Sequence, residues 1–253
     1  MIERARSRDA RGWRCKFAVV APSTNTIVQP DFDDLRIPGV TNHSGRIHVP
    51  NLPLRNDEEF LALVDILGRE LYAAVDRCMT CKPDYLIMGL SALMFWDGRA
   101  ASERRMRDLA EHCGVGVSAG SFACEAALNL FGAKRIAVIS PYQPVSDRNV
   151  TRFFEDCGFS VATFRGLRCA SPVAIAEVQE DELRRHILAL DGDDIDAIVQ
   201  VGTNLSMVRL AIEMQERLGK PVIAINSATY WHALRAMGIT DRFAGHGPLF
   251  EHH

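Results

Sequence analysis

Tyr85-Leu86-Ile87-Met88-Gly89-Leu90-Ser91 is a run of four apolar residues that opens into a turn of small and polar ones. Ala197-Ile198-Val199-Gln200-Val201-Gly202-Thr203-Asn204 repeats the pattern later in the chain. Each predicts a buried strand whose carboxyl end delivers a Gly-led polar turn, the place where open α/β sheets put their ligands. Two more pairs recur in the same order. Lys16-Phe17-Ala18-Val19-Val20-Ala21-Pro22 matches Arg135-Ile136-Ala137-Val138-Ile139-Ser140-Pro141, and Gly120-Ser121-Phe122-Ala123 matches Asn226-Ser227-Ala228-Thr229. The offsets are 119 (Pro22 to Pro141), 113 (Gly89 to Gly202) and 106 (Ser121 to Ser227). So small a drift fits loop-length changes between two copies of one unit.

Working outward, short apolar strands alternate with helical patterns, which predicts α/β with mainly parallel sheets. Strands are expected at 16–21, 85–89, 115–118, 135–140, 160–164, 196–201 and 221–225. Helices are expected at 57–80, 99–113, 122–131, 145–157, 173–190, 205–218 and 228–237. The duplication makes these two pseudo-symmetric Rossmann-like lobes, 15–117 plus 226–253 and 118–225, with a ligand cleft between them.

Composition narrows the function. The 253 residues are 47% apolar and 24% charged, with a net charge of −3, an ordinary soluble balance that gives no reason to expect nucleic acid or a membrane surface. The Arg-rich first sixteen residues lack an apolar stretch, so they read as a solvated end rather than a secretory signal. Seven cysteines at 15, 78, 81, 113, 124, 157 and 169 form no disulfide framework and suit a reducing cytoplasm. Cys78-Met79-Thr80-Cys81 has no partner pair and follows an amphipathic helical pattern, so no metal is expected there. Without a GxGxxG or Walker turn, no nucleotide cofactor is expected either.

The polar strand ends converge on one kind of chemistry. Ser23, Thr24 and Asn25 follow the first strand, Tyr142 follows its counterpart, and Ser91, Thr203 and Asn204 sit in the paired turns. With the backbone of Gly89, Leu90 and Gly202 they would form a neutral nest of donors for a carboxylate or a developing oxyanion. The same residue types also cap helices and form turns, and singly that explains each of them.

The Ala21-Pro22-Ser23-Thr24-Asn25-Thr26 turn, Ser140-Pro141-Tyr142 and Asn226-Ser227-Ala228-Thr229-Tyr230-Trp231 resemble the aspartate/glutamate racemase superfamily, near its maleate isomerases, arylmalonate decarboxylases and ectoine-utilisation relatives. The resemblance covers residues 15–250. It implies two lobes, no cofactor, a homo-oligomer and a small-molecule carboxylate substrate, with a cysteine contributed by one or both lobes. Carried over, those thiol positions fall on Gly89 and Gly202, and neither is a cysteine. Cysteine-dependent racemisation or isomerisation therefore lacks its nucleophile here. Of the cysteines present, only Cys124 near Ser121 merits attention.

The expectation is a cofactor-independent lyase or isomerase in which Ser91, Tyr142 and Thr203 are the catalytic candidates. Ser23, Thr24, Asn25, Gly89, Leu90, Gly202, Asn204, Tyr230 and His246 are the candidate substrate contacts. A carboxylate-binding protein without turnover, and a hydrolase or lyase activating water in the same cleft, are the alternatives.

Overall fold

The computed structural model describes residues 9–253. Half of the Arg-rich N-terminal stretch (Arg4, Arg6 and Arg8) lies outside them; within them Arg14 pairs with Asp241 at 2.5 Å. Two four-stranded, all-parallel sheets form the framework. The first contains β1 (Cys15–Pro22), β2 (Val40–Ile47), β3 (Tyr85–Met88) and β4 (Gly116–Ala119); the second contains β5 (Arg135–Ser140), β6 (Ser160–Gly166), β7 (Ala197–Gln200) and β8 (Val222–Ala224). Their strand orders, β2-β1-β3-β4 and β6-β5-β7-β8, are the same topology twice. The duplication read from the sequence is therefore a duplication of sheets.

Helices α1 (Val28–Asp34), α2 (Asp57–Met79), α3 (Gly98–Cys113) and α4 (Gly120–Leu130) belong to the first half of the chain. α5 (Pro144–Asp156), α6 (Glu180–Leu190), α7 (Val208–Leu218), α8 (Ile225–Ala236) and the short α9 (Pro248–Glu251) belong to the second. β3 and β7 are buried along their whole length, as expected of central strands covered on both faces. α2 shows why the prediction of its limits held. The Asn56 side chain accepts from Glu59 N at 2.9 Å, three acids occupy the first turn, and Phe60, Leu63, Val64, Leu67 and Leu71 form one buried stripe. In its last turn Cys78 is buried with its thiol donating to the His43 carbonyl.

α4 and α8 start directly after the last strand of each sheet and pack against each other. α8 also lies on the first sheet, where Tyr230 packs against Phe17 and Phe32 at ring distances of 5.6 and 5.1 Å. α4 reaches the second half through Phe122, 5.5 Å from Phe153 of α5. The boundary expected at 117/118 falls inside β4.

Besides the short α9, three stretches differ most from the sequence reading. α1 and β2 were not anticipated: α1 has only Val28 and Phe32 buried, and β2 is an edge strand with mixed burial. Neither shows enough periodicity to signal itself. The helix expected over 173–190 begins only at Glu180. Residues 172–177 form turns instead, with Asn204 Nδ2 donating to the Pro172 carbonyl at 2.9 Å and Val173 N donating to Asn51 Oδ1 at 3.2 Å. Those long-range bonds replace local helical ones. Among the described residues, no helix is long and apolar enough to cross a membrane.

Candidate active site

The carboxyl ends of β1, β3, β5 and β7 meet around a cleft of about 450 Å³. Thr24, Asn25, Ser91, Tyr142, Thr203 and Asn204 supply its polar wall. Leu63 and Leu67 of α2, Leu90, and Pro172 and Ile175 of the 172–177 turns supply its apolar wall. Among the described residues, no cysteine, histidine, carboxylate, lysine or arginine lines it.

Cross-lobe hydrogen bonds fix this wall. Asn25 Nδ2 donates to Thr203 Oγ1 at 3.2 Å, and Thr26 N donates to Asn204 Oδ1 at 2.9 Å. Asn25 Oδ1 accepts from Ile27 N and Val28 N at 3.0 and 2.9 Å, holding the turn that leads into α1. One side chain thus ties a helix start to the opposite lobe. Asn25→Ala is expected to cost about 1–3 kcal/mol in chemical denaturation, the range for buried polar partners left unpaired.

The peptide groups of the two glycine turns are anchored by their carbonyls. Thr203 Oγ1 donates to Gly89 O at 3.1 Å. Gln200 Nε2 and Leu205 N donate to Gly202 O at 2.8 and 3.0 Å. Asn226 Nδ2 donates to Thr203 O at 3.0 Å. In a trans peptide the N–H points opposite to the C=O, so each anchor also aims the next residue's N–H. Thr203 N is thereby aimed at Ser91 Oγ, 3.2 Å away. The N–H groups of Leu90, Ser91 and Asn204 find no acceptor among the described residues. Backbone donors left unpaired beside a cleft are the signature of an anion nest.

Ser91 Oγ and the Tyr142 hydroxyl are hydrogen-bonded to each other across the lobes. Burial pushes the Tyr142 phenol far above its usual range, although the Ser91 bond pulls the other way. The phenol is therefore a neutral donor at any physiological pH. Behind it, Arg168 donates to the Tyr142 carbonyl and to Asp147, and Ser140 Oγ donates to Asp147 Oδ1 at 2.5 Å. Burial raises the Asp147 carboxyl despite both contacts.

Both glycines are closed to a side chain, for different reasons. Gly202 has φ +107°, and a Cβ there would meet Pro141 Cδ at 2.5 Å, with the Tyr142 hydroxyl at 3.7 Å. A Cβ on Gly89 would meet Val28 Cγ1 at 2.8 Å and Ala21 Cβ at 3.1 Å, in the packing of the first lobe. Cys124 is wholly buried inside α4 with its thiol pushed up by burial, and it does not line the cleft.

Of the residues singled out in the sequence, the structure brings Thr24, Asn25, Leu90, Ser91, Tyr142, Gly202, Thr203 and Asn204 together in the cleft. Gly89 contributes its anchored carbonyl behind it. Ser23 turns away, its hydroxyl accepting from Val49 N at 2.9 Å. Tyr230 sits in the first-lobe core, donating to Asn42 Oδ1 at 3.1 Å. His246 packs between Phe243 and Phe250, with Nε2 3.3 Å from the Asp34 carbonyl. Sequence reasoning missed the apolar wall and Asn226. The α2 stripe was visible, but nothing local says that two of its buried leucines also line a cleft.

The sequence pattern of the arylmalonate decarboxylase family matches residues 80–250. Maleate isomerase of Pseudomonas putida is 24% identical over 247 residues, spanning 91% of this chain and 94% of that one. Maleate isomerase of Alcaligenes faecalis is 26% identical over 250 residues, spanning 90% and 93%. The solved structure of a Nocardia farcinica maleate cis-trans isomerase mutant with a covalently bound succinylcysteine intermediate shares the fold. Its TM-score is 0.83 at 20% identity, covering 94% of this chain and 99% of that one. With the family pattern running through both glycine turns and over more than half of its length, the chain belongs to the arylmalonate decarboxylase family.

Proposed function

We propose that this chain is a cofactor-independent enzyme acting on a small carboxylate, of the decarboxylase kind, and that it stabilises an enediolate in the cleft. The observation that carries the reading is the wall itself: unpaired Leu90, Ser91 and Asn204 N–H groups beside a phenol kept neutral by burial. A malonate-type acid would seat one carboxylate on those donors. When the other carboxylate leaves as carbon dioxide, the electron pair of the breaking C–C bond flows into the retained carboxylate. Negative charge then grows where the donors already point, so they hold the transition state more strongly than the substrate. The proton that completes the reaction comes from Tyr142 or from water ordered on it. The apolar wall takes the substituent on the reacting carbon.

The maleate isomerase relatives suggest the other reaction class. Thiol addition to a double bond is disfavoured by Gly89 and Gly202, where no thiol stands. Cys169 is the thiol tied to the Pro141–Tyr142 turn, its N–H donating to the Pro141 carbonyl at 3.0 Å. Burial pushes its thiol up to about 11, which leaves little thiolate at neutral pH. A non-catalytic carboxylate binder is favoured by one observation: no cleft-lining side chain ionises near neutrality.

Proton NMR in deuterium oxide over a panel of malonates, maleate and hydroxy acids separates these. The expected result is carbon dioxide release with one deuterium gained at carbon, unaffected by thiol alkylation and reduced by Ser91→Ala. Turnover abolished by alkylation would overturn it in favour of a displaced thiol. Tight binding without turnover of any member would establish the binder. Unchanged turnover in Ser91→Ala and Tyr142→Phe would remove the cleft from the reaction altogether.

A further inference from the structure

Asn226, at the start of α8, is buried, and both of its amide hydrogens are used. One goes to Thr203 O at 3.0 Å, the other to Asp31 Oδ2 of α1 at 2.7 Å. Its Oδ1 is buried with no partner among the described residues. An ionised Asp31 suits this arrangement, because a carboxylate only accepts. A protonated Asp31 keeps one acceptor oxygen but adds a donor that competes for the amide. Its O–H needs an acceptor, and the unpartnered Oδ1 becomes that acceptor if the amide turns over. Turning it over withdraws Nδ2 from Thr203 O as well.

We propose that Asn226, held by Asp31, is a positioning residue that orients the Thr203–Asn204 peptide and so aims the Asn204 N–H for the cleft. The inference rests on reading the cleft as a carboxylate site. The carbonyl anchored by Asn226 and the unpaired N–H belong to one rigid peptide plane, so losing the first bond frees the second group to swing. The pair thereby makes the nest sensitive to protons although, among the described residues, no side chain lining the cleft is a carboxylate, histidine, cysteine or lysine.

Burial raises the Asp31 carboxyl to about 6; the Asn226 bond lowers it and Asp34, on the same helix, raises it. The carboxylate form, and with it the aimed N–H, prevails above that value and is lost as pH falls through it. Other elements that touch α1 bring further charged or titratable groups: Tyr230 of α8 packs 5.1 Å from Phe32, its phenol raised by burial. Arg46 of β2 donates to Gln29 at 3.0 Å, and His246 stands 3.3 Å from the Asp34 carbonyl.

The test uses the whole chain and two readouts, from about pH 5 to about pH 8, a window bracketing the Asp31 value. The first is the Asn204 backbone amide resonance without ligand. The second is the calorimetric Kd of benzoylformate, a carboxylate that stays ionised across the range. The Asn204 resonance is expected to shift with a midpoint near 6, and benzoylformate to bind about tenfold more weakly below it. Asp31→Asn is expected to flatten both profiles, and His246→Gln to leave them intact. Asn226→Ala is expected to weaken binding at every pH. An Asn204 resonance that stays still in the native chain, or titrates equally in Asp31→Asn, overturns the inference. A resonance that titrates as expected while benzoylformate fails to bind even at high pH sustains the positioning role and overturns the carboxylate reading instead.

Discussion

Tyr142→Phe is expected to lower turnover of any carboxylate substrate about 10²–10³-fold, the usual loss when one preorganised donor to a developing oxyanion is removed. Phenylalanine keeps the ring that packs edge-on against Phe60 at 5.4 Å, so the fold loses little. What disappears is the hydroxyl bonded to Ser91, which in turn receives Thr203 N at 3.2 Å. The damage should appear in kcat more than in KM, because the phenol acts on charge that grows during the reaction. Steady-state kinetics with a carbon dioxide or proton readout decides it. An equal rise in KM with unchanged kcat would place the phenol in ground-state binding only. Since burial holds the phenol protonated, the native rate should also show no loss from Tyr142 ionisation up to about pH 9, well below the raised value.

Gly202→Cys places a thiol where the superfamily resemblance puts its second-lobe cysteine, and the expected result is damage rather than a gained activity. The residue is at φ +107°, which costs an L side chain about 1–2 kcal/mol. The new Cβ would also lie 2.5 Å from Pro141 Cδ, a ring that cannot rotate away, adding about 1–3 kcal/mol of overpacking. Together these predict a loss of about 2–5 kcal/mol and a melting point lower by roughly 5–15 °C for a chain of this size. Gly89→Cys should cost less. Its nearest obstacle is Val28 Cγ1 at 2.8 Å, the end of a side chain, and its φ is unremarkable. Differential scanning calorimetry of both variants tests the ranking. A Gly202→Cys protein as stable as the native chain would show that Pro141 and the backbone yield easily there.

The lobes were legible because buried central strands carry their own signature: four consecutive apolar residues at 85–88, and Ala197, Ile198, Val199 and Val201 broken only by Gln200, each running into a small-residue turn. β2 was illegible for the complementary reason. As an edge strand with Thr41, Asn42 and His43 half-buried in succession and Ser44 exposed, it offers no alternation to read. Ser91, Thr203 and Asn204 could be chosen because they sit in those turns. Tyr230 was drawn in by its neighbours in sequence. However, it lies four residues, about one helical turn, beyond Asn226, and that rise along α8 carries it from the cleft into the Phe17–Phe32 core. Asn226 itself joins positions 31 and 203 of the chain, and no local pattern encodes a contact of that kind.

The twofold repetition also bears on stereochemistry. Two identical halves meeting about a symmetry axis must offer the same groups to both sides of whatever lies between them. Here the halves are joined in one chain and have diverged at matched positions. Tyr142 follows Pro141 at the end of β5 and faces the cleft, while its counterpart after Pro22 is Ser23, whose hydroxyl is spent on Val49. Under the proposed reaction, a flat, achiral intermediate in such a cleft would have two unlike faces, and a proton delivered from the phenol would reach one of them. Fusion of the copies is what would make an enantioselective outcome available to the proposed reaction.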